Sequence, residues 1–174
     1  MIQTNRLDLI PGSMPTVTAS IEDVPHLGVL LDARVPRSWP PNLLDQPALE
    51  WTLNWLRDPT HDPRWGMHWV VQRTPRVLIG VVGYKGGPKD GTVEVGYGIV
   101  DEYQRRGYAT EATQALVRQA FESPGIERVI AETLPDLQPS IGVLEKCGFT
   151  FIGDGSEPGV IRYEKLRPQG WVPL

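Results

Sequence analysis

Apolar and polar residues alternate along residues 92–99, which read TVEVGYGI. The odd-numbered positions carry valine, tyrosine or isoleucine, whereas threonine, Glu94 and two glycines occupy the even-numbered positions. A period of two places these two sets on opposite faces of an extended chain. The segment therefore predicts a strand with one apolar face and one face that carries a carboxylate.

A helical period begins shortly after this strand. In residues 109–121 apolar side chains recur every three or four positions, and most of the remaining residues favour helices. Ser123-Pro124-Gly125 then ends the pattern. The residues that fit the buried face are Ala112, Leu116, Ala120 and Phe121. A helix is therefore predicted directly after the strand.

The linker between strand and helix reads QRRGYA at residues 104–109. The first N–H groups of a helix lack internal partners and lie at the positive end of its dipole, so such a junction favours phosphate oxygens. Gly107 and Ala109 keep bulky side chains away from such a ligand. We call residues 104–110 the anion loop. The alternative interpretation is a solvated turn with two exposed arginines.

The other periodic segments complete the predicted fold. Further strands are predicted at residues 6–10, 68–72, 77–84, 128–133, 149–153 and 160–166. Another helix is predicted after Asp23, which would cap it, with Val24, Leu27, Leu30 and Leu31 inward. Two more helices are predicted, one at residues 45–56 with Leu49, Leu53 and Leu56 on one face, and one at residues 140–147. A strand–helix–strand unit has parallel strands and a right-handed crossover, so one α+β domain with a mixed sheet is predicted over residues 1–174.

Composition excludes several classes of function. The chain has 174 residues and a formal net charge of −4, which argues against a broad nucleic-acid surface. One cysteine and a charged chain start favour a cytoplasmic protein, and no apolar stretch approaches the ~20 residues that span a membrane. The histidines lack metal-ligand spacing, and neither a P-loop nor a G-x-S-x-G elbow occurs. We expect no bound metal, nucleic acid or membrane.

Two stretches, VEVGYGIVDEYQRRGYATEA and IAETLPDLQPSIGVLEKCGF, resemble the GNAT N-acetyltransferase superfamily, in particular its ribosomal-protein alanine acetyltransferase-like branch. The resemblance is close over residues 77–166 and extends to residues 2–10, whereas residues 11–66 are similar only in outline. It implies a mostly antiparallel central sheet flanked by helices, in which a parallel strand pair splays apart. It also implies that acetyl-coenzyme A enters between those strands as a cosubstrate.

The resemblance assigns a set of cofactor-binding residues. The pantetheine arm would pair with backbone at residues 98–100, and the amides of residues 105–110 would hold the pyrophosphate. Leu137 stands where many relatives have an asparagine, and Leu144 stands where others have a tyrosine acid. The full cofactor set is Gly98, Ile99, Val100, Gln104, Arg105, Arg106, Gly107, Tyr108, Ala109, Thr110, Leu137 and Ser140.

Two residues are candidates for catalysis. Glu94 lies on the strand that would present the thioester, beside a glycine that leaves room for substrate, and is the candidate general base. Its alternative is a solvated or cross-strand-paired residue. Ser140 could donate a hydrogen bond to the departing thiolate, and its alternative is a helix N-cap. Cys147 is interpreted as a buried core residue rather than an acylated nucleophile.

The acceptor side is marked by tryptophan. Five of the six tryptophans fall in residues 39–69, and Trp51 and Trp55 lie one helical turn apart. They could line an acceptor groove, with Trp39 as the preferred substrate contact, or they could pack a core or a dimer surface. Residues 1–66 contain five arginines, no lysine and eight acidic residues, which mildly favours a cationic amine.

Three functions remain open from the sequence. The first is an acetyl-coenzyme A-dependent N-acetyltransferase in which a peptide N-terminus or small amine attacks the thioester directly. The second is a non-catalytic acyl-coenzyme A sensor, which would bind cofactor without turnover. The third is an interaction module that uses the tryptophan-rich segment, which cofactor would not stabilise. A homodimer is expected only by analogy with other proteins of this fold.

Overall fold

The computed structural model describes residues 1–42 and 44–171, which form one eight-stranded sheet with helices on both faces. The strands are β1 (Ile2–Gln3), β2 (Leu7–Pro11), β3 (Met67–Gln72), β4 (Val77–Tyr84), β5 (Thr92–Ile99), β6 (Arg128–Thr133), β7 (Thr150–Asp154) and β8 (Ile161–Leu166). The helices are α1 (Met14–Glu22), α2 (Val24–Leu31), α3 (Gln46–Arg57), α4 (Tyr108–Glu122) and α5 (Gln138–Lys146). The predicted α+β class is confirmed, and β4, β5 and β6 have the predicted bounds.

The sheet has one parallel pair, formed by β5 and β6. Its order is β1-β2-β3-β4-β5-β6-β8-β7, and the other neighbouring strands are antiparallel. The β5–β6 pairing covers three residue pairs and ends at Glu94 and Ile130. β5 continues to Ile99 while paired only with β4. The two parallel strands therefore part after Glu94, and the gap between them is called the notch below.

Two apolar cores hold the helices against the sheet. The core under α4 contains Leu116 and Phe121 of that helix together with Val93 and Val95 of β5. The other core joins α1, α2 and α3 to the opposite face and includes the fully buried Trp69. The odd-numbered residues of β5 therefore face α4, and the even-numbered residues face away from it. All four residues predicted for the buried face of α4 are buried.

The N-terminal half departs from prediction in two places. Helix α1 was not predicted as a separate helix; Ser13 caps it in a box closed by Thr16, which is less recognisable than one closed by glutamate. Asp23 caps α2 as predicted, but Leu30 is 40% exposed, so its inward assignment is wrong. At about 100° per residue, Leu30 falls on the flank of the face that Leu27 and Leu31 share.

Two kinds of feature are absent from residues 1–42 and 44–171. Within these ranges, no helix is both long and apolar enough to cross a bilayer. In the same described residues, no group of three or more histidine, cysteine or acidic side chains is arranged to hold a metal ion.

Candidate functional site

The open edge of β5 forms one wall of the notch. The N–H of Lys85 donates to the Glu94 carbonyl (2.9 Å), and the N–H of Val100 donates to the Ile79 carbonyl (2.9 Å). In an antiparallel ladder, the backbone groups of alternate residues point to the same neighbour. Even-numbered residues of β5 therefore face β4, and the backbone groups of Tyr97 and Ile99 face the notch, whereas the Val95 N–H is engaged in the parallel pairing with Ile130. An extended chain with amide groups can pair with such an edge.

The same pairing separates the three residues expected to hold pantetheine. Ile99 faces the notch, although its carbonyl accepts a hydrogen bond from the Gln104 side chain (2.9 Å). Gly98 pairs with β4, and the Val100 N–H donates to the Ile79 carbonyl while the Val100 carbonyl accepts from the Tyr103 N–H (2.9 Å), so neither residue is available for the expected pairing. The 41–42 segment lies over β5 at Gly98, where an added Cβ would be in ordinary contact with Pro41 Cβ at 3.4 Å.

The anion loop has free donors where the sequence predicted them. Arg105 (φ 59°) and Gly107 (φ 79°) both adopt left-handed backbone conformations. In the described chain, no backbone acceptor receives the N–H groups of Arg105, Arg106 or Gly107. The first N–H groups of α4, which follows directly, have no intrahelical partner. Consecutive free N–H groups in such conformations suit an anion.

The side chains of the anion loop support this arrangement in different ways. The Gln104 side chain donates to the Ile99 carbonyl and to the Asp101 carboxylate, and its N–H donates to the Asp101 carbonyl, so Gln104 ties the loop to the residues before it and offers no free donor. Both arginine side chains are exposed, and the Arg106 guanidinium lies 5.3 Å from the centroid of the Tyr103 ring. Tyr108 is buried against the core, whereas Ala109 and Thr110 are half-buried. The backbone, more than the side chains, defines this anion site.

Across the notch, the first turn of α5 meets Tyr97. Leu137 occupies the N-cap position and is 36% exposed, so the N-cap interpretation of Ser140 is wrong. The Tyr97 hydroxyl donates to the Ser140 carbonyl (3.0 Å) and lies 3.1 Å from Ser140 Oγ. Burial raises the pKa of Tyr97 to about 12, so the phenol is neutral at physiological pH. Two hydroxyls thus lie together between β5 and α5.

Tyr97 was not proposed as a functional residue from the sequence. It occupies an apolar-face position of an alternating strand, and that pattern is equally typical of a core tyrosine. Only the contact with α5, 43 residues later in the chain, distinguishes the two roles.

Glu94 lies on the opposite face of β5. Its carboxylate is 2.5 Å from the ammonium of Lys85, and the two side chains are 22% and 54% exposed. The expected cross-strand pairing of Glu94 is therefore present. The Lys85 side chain also runs over Gly96, where an added Cβ would lie 3.5 Å from Lys85 Cε. A primary ammonium thus already occupies the space beside the carboxylate.

A second carboxylate on this face was missed in the sequence. Glu132 lies two residues beyond the β6 partner of Glu94, so both side chains are on the same side of the sheet. Glu132 accepts hydrogen bonds from Arg162 Nε (2.9 Å) and from the N–H and hydroxyl of Ser156 (2.8 and 2.6 Å). Burial opposes ionisation of Glu132, but these hydrogen bonds outweigh it and lower its pKa.

Cys147 is a buried thiol and not a nucleophile in this arrangement. It is 2% exposed, and its Sγ lies 3.6 Å from the Thr110 carbonyl. Burial raises the pKa of Cys147 to about 11, and Lys165 only partly offsets this effect. The thiol is therefore protonated at physiological pH, as expected of a core cysteine.

The tryptophans divide between core and surface. Trp55, Trp65 and Trp69 are buried, and Trp39 packs on Trp69 with ring centroids 5.8 Å apart, so most of this set is core. Trp51 is 51% exposed. A cavity of about 270 Å³ is lined by Trp51, Asn54, Trp55, His61, Gly86 and Gly87. Gly86 directly follows Lys85 in the chain. This cavity is a part of the tryptophan-rich segment that is open to a ligand.

The sequence matches a protein-family model and several curated proteins. A family model described as an acetyltransferase (GNAT) domain matches residues 17–150. The chain is 34% identical over 79 residues to the uncharacterized N-acetyltransferase YnaD of Bacillus subtilis, covering 45% of this chain and 46% of YnaD. The chain spans about half the length of the curated relatives it matches.

Solved structures match over nearly the whole chain. The ribosomal-protein-S5-alanine acetyltransferase of Vibrio fischeri has a TM-score of 0.65 at 17% identity, covering 99% of this chain and 98% of that one. The microcin C7 self-immunity acetyltransferase MccE, solved with acetyl-CoA and AMP, has a TM-score of 0.65 at 16% identity, covering 94% of each chain. These likenesses establish the fold. The family model, which matches well over half of the sequence, shows that the chain belongs to the GNAT acetyltransferase family.

Proposed function

We propose that this chain is an N-acetyltransferase that moves an acetyl group from acetyl-coenzyme A to a primary amine in a ternary complex. The observation that carries the proposal is the arrangement around β5. Free backbone donors of the anion loop and two hydroxyls lie on the notch side of β5, and carboxylates lie on the opposite face. The two sides suit the two substrates, and no nucleophile of the protein is needed between them.

The residues that would hold acetyl-coenzyme A fit its chemistry. The open edge of β5 offers peptide groups to the pantetheine amides, and the anion loop offers consecutive N–H groups to the pyrophosphate. When bound, acetyl-coenzyme A supplies an activated acyl group as a thioester. The backbone N–H of Tyr97 faces the notch beyond the last β5–β6 pair and is suited to stabilise negative charge on a carbonyl oxygen.

Glu94 is proposed to receive the acceptor amine. Its contact with Lys85 shows that the carboxylate can hold a primary ammonium at 2.5 Å. Deprotonation at pH 7 costs about 4.6 kcal/mol for a lysine-like amine of pKa ~10.4, but only about 1.4 kcal/mol for an α-amine of pKa ~8. A carboxylate that removes this proton, directly or through water, therefore has a smaller deprotonation free energy to offset when the acceptor is a peptide N-terminus.

Tyr97 and Ser140 are proposed to serve the departing thiolate. An ordinary thiol has a pKa of ~8.5. Because the pKa of Tyr97 is about 12, complete proton transfer from the phenol to the thiolate would be unfavourable. The phenol hydrogen, which the Ser140 carbonyl accepts in this structure, therefore turns to the thiolate and stabilises it as a hydrogen-bond donor, and the thiolate takes its proton from solvent. Ser140 Oγ, 3.1 Å from the phenol oxygen, can share this donation.

Thermal unfolding with acetyl-coenzyme A is the first test of the proposal. Saturation at ~100 times Kd adds about 2.7 kcal/mol, which raises Tm by roughly 5–10 °C for a domain of this size. Thiol release is then measured with three kinds of acceptor: peptides that have a free N-terminus, lysine-containing peptides whose N-terminus is blocked, and small amines. We expect free N-termini to react fastest. A Tm rise without turnover of any amine would favour the sensor, and no Tm rise would favour the interaction module.

A further inference from the structure

The turn between β1 and β2 lies directly against the anion loop, although the two are about 100 residues apart in the chain. Arg6 makes the contact. Its Nη1 donates to the Arg106 carbonyl (2.9 Å), its Nε donates to Glu111 Oε2 (2.7 Å), and its own N–H donates to Glu111 Oε1 (2.8 Å). The guanidinium also lies 4.3 Å from the centroid of the Tyr108 ring. One side chain therefore contacts three residues in and just after the loop.

The bond to the Arg106 carbonyl orients the next amide. In a trans peptide the C=O and the following N–H point in opposite directions. Holding the Arg106 carbonyl toward Arg6 therefore aims the Gly107 N–H away from Arg6, and this N–H has no backbone acceptor in the described chain. Gly107 tolerates several backbone conformations, so this peptide could otherwise rotate and present a carbonyl oxygen to an anion.

Arg6 also neutralises a carboxylate that would oppose an anion. Glu111 lies in the first turn of α4, where its charge would repel a phosphate. Burial alone would raise the pKa of Glu111, but hydrogen bonds from Thr4 and Arg6 outweigh it and lower the pKa, so the carboxylate is ionised. The two hydrogen bonds from Arg6 and one from Thr4 Oγ1 (2.6 Å) turn its oxygens toward the β1–β2 turn.

We propose that Arg6 is a positioning residue for the pyrophosphate of the cofactor: it fixes the peptide that presents the Gly107 N–H and neutralises Glu111. This inference rests on the proposed function, because it takes the anion loop as the pyrophosphate site. Arg6 does not touch the reacting atoms. Its effect should therefore be confined to ligands that carry the pyrophosphate.

The test compares coenzyme A with pantetheine, which lacks the pyrophosphate, by calorimetry on the full chain. We expect Arg6→Gln to weaken coenzyme A binding roughly tenfold while changing pantetheine binding less than about twofold. Arg6→Lys keeps the charge but not the fork geometry, so it should recover only part of the loss. Equal loss for both ligands, or no loss for either, would overturn the proposal.

Arg73→Gln is the matched control. Arg73 Nη2 also holds the β1–β2 turn, through the carbonyls of Thr4 and Asn5, and its side chain makes no hydrogen bond to the anion loop within the described residues. We expect this variant to bind coenzyme A like the wild type, and a tenfold loss here would assign the effect to the turn in general. If Arg6→Gln does not fold, Arg6→Lys carries the same comparison. A wild-type chain that binds coenzyme A no more tightly than pantetheine would instead refute the anion loop itself.

Discussion

The two faces of β5 present different kinds of functional group. On the face toward α4 and along the notch, the useful groups are backbone N–H groups and neutral hydroxyls such as that of Tyr97. On the opposite face they are the carboxylates of Glu94 and Glu132, each held by a cationic side chain. The first set depends on backbone conformation, and the second depends on side chains from separate elements. One strand can thus separate acyl-donor binding from amine binding.

Glu94→Gln should have the largest effect on this separation of acyl-donor binding from amine binding. Loss of the carboxylate removes both the ammonium partner and the proton acceptor, so we expect kcat to fall about 100-fold. The Kd of acetyl-coenzyme A, measured by calorimetry, should not change, because Glu94 points away from the notch. Glu164→Gln is the control, since Glu164 is also a strand glutamate, 3.6 Å from Arg128. A loss of cofactor affinity in the Glu94 variant would contradict the separation.

Gly107→Ala tests the notch side. A side chain at φ 79° is strained by ~1–2 kcal/mol, and the new Cβ would lie 3.4 Å from Arg6 Nη2. We expect the Kd of coenzyme A to rise about tenfold or slightly more, with the KM of the amine unchanged. Gly125→Ala introduces the same strain at φ 81° in open space, and should lower Tm without weakening cofactor binding. Similar losses of affinity in both variants would mean that general strain is responsible.

Tyr97→Phe should have an effect of about tenfold on kcat, because one hydrogen bond to a charged group is removed. Steady-state kinetics should show little change in the KM of either substrate. With its pKa near 12, Tyr97 should cause no loss of activity between pH 7 and pH 10. Tyr84→Phe is the control: its hydroxyl donates to the Leu116 carbonyl (2.6 Å) inside the core, so stability should fall while kcat is kept. An unchanged kcat in the Tyr97 variant would remove the phenol from the mechanism.

Ser140→Ala should have the smallest effect, about threefold on kcat, because the Tyr97 phenol still faces the thiolate. The comparison that matters is the double variant with Tyr97→Phe. If the two hydroxyls act on the same atom, their effects on kcat will not be additive. Strictly additive losses would assign Ser140 a separate role, for example in holding α5.

Sequence predicted the notch side better than the amine side. The bounds of β4, β5 and β6 and the free amides of the anion loop follow from local patterns of alternation, helix entry and glycine placement. The contact between Tyr97 and Ser140 joins residues 43 positions apart in the chain, so no local sequence pattern predicts it. The same holds for Glu132, whose partners Ser156 and Arg162 lie 24 and 30 residues away. Side-chain sites assembled from distant segments leave little trace in one sequence.

The tryptophan-rich segment shows a second limit of sequence. Burial and ligand contact both favour large aromatic residues, so the pattern could not separate them. The structure places Trp55, Trp65 and Trp69 in the core and leaves Trp51 partly open beside the cavity. Packing between helices and sheet, rather than residue type, decides which role each ring takes.

The Lys85–Glu94 contact changes how amine binding should be understood. An arriving ammonium at Glu94 would replace the Lys85 ammonium instead of adding a charge to an empty carboxylate. Binding is then an exchange of one cation for another, with little net change in charge within the site. We expect acceptor affinity to vary only weakly with ionic strength, and the choice among amines to follow shape and basicity rather than total charge.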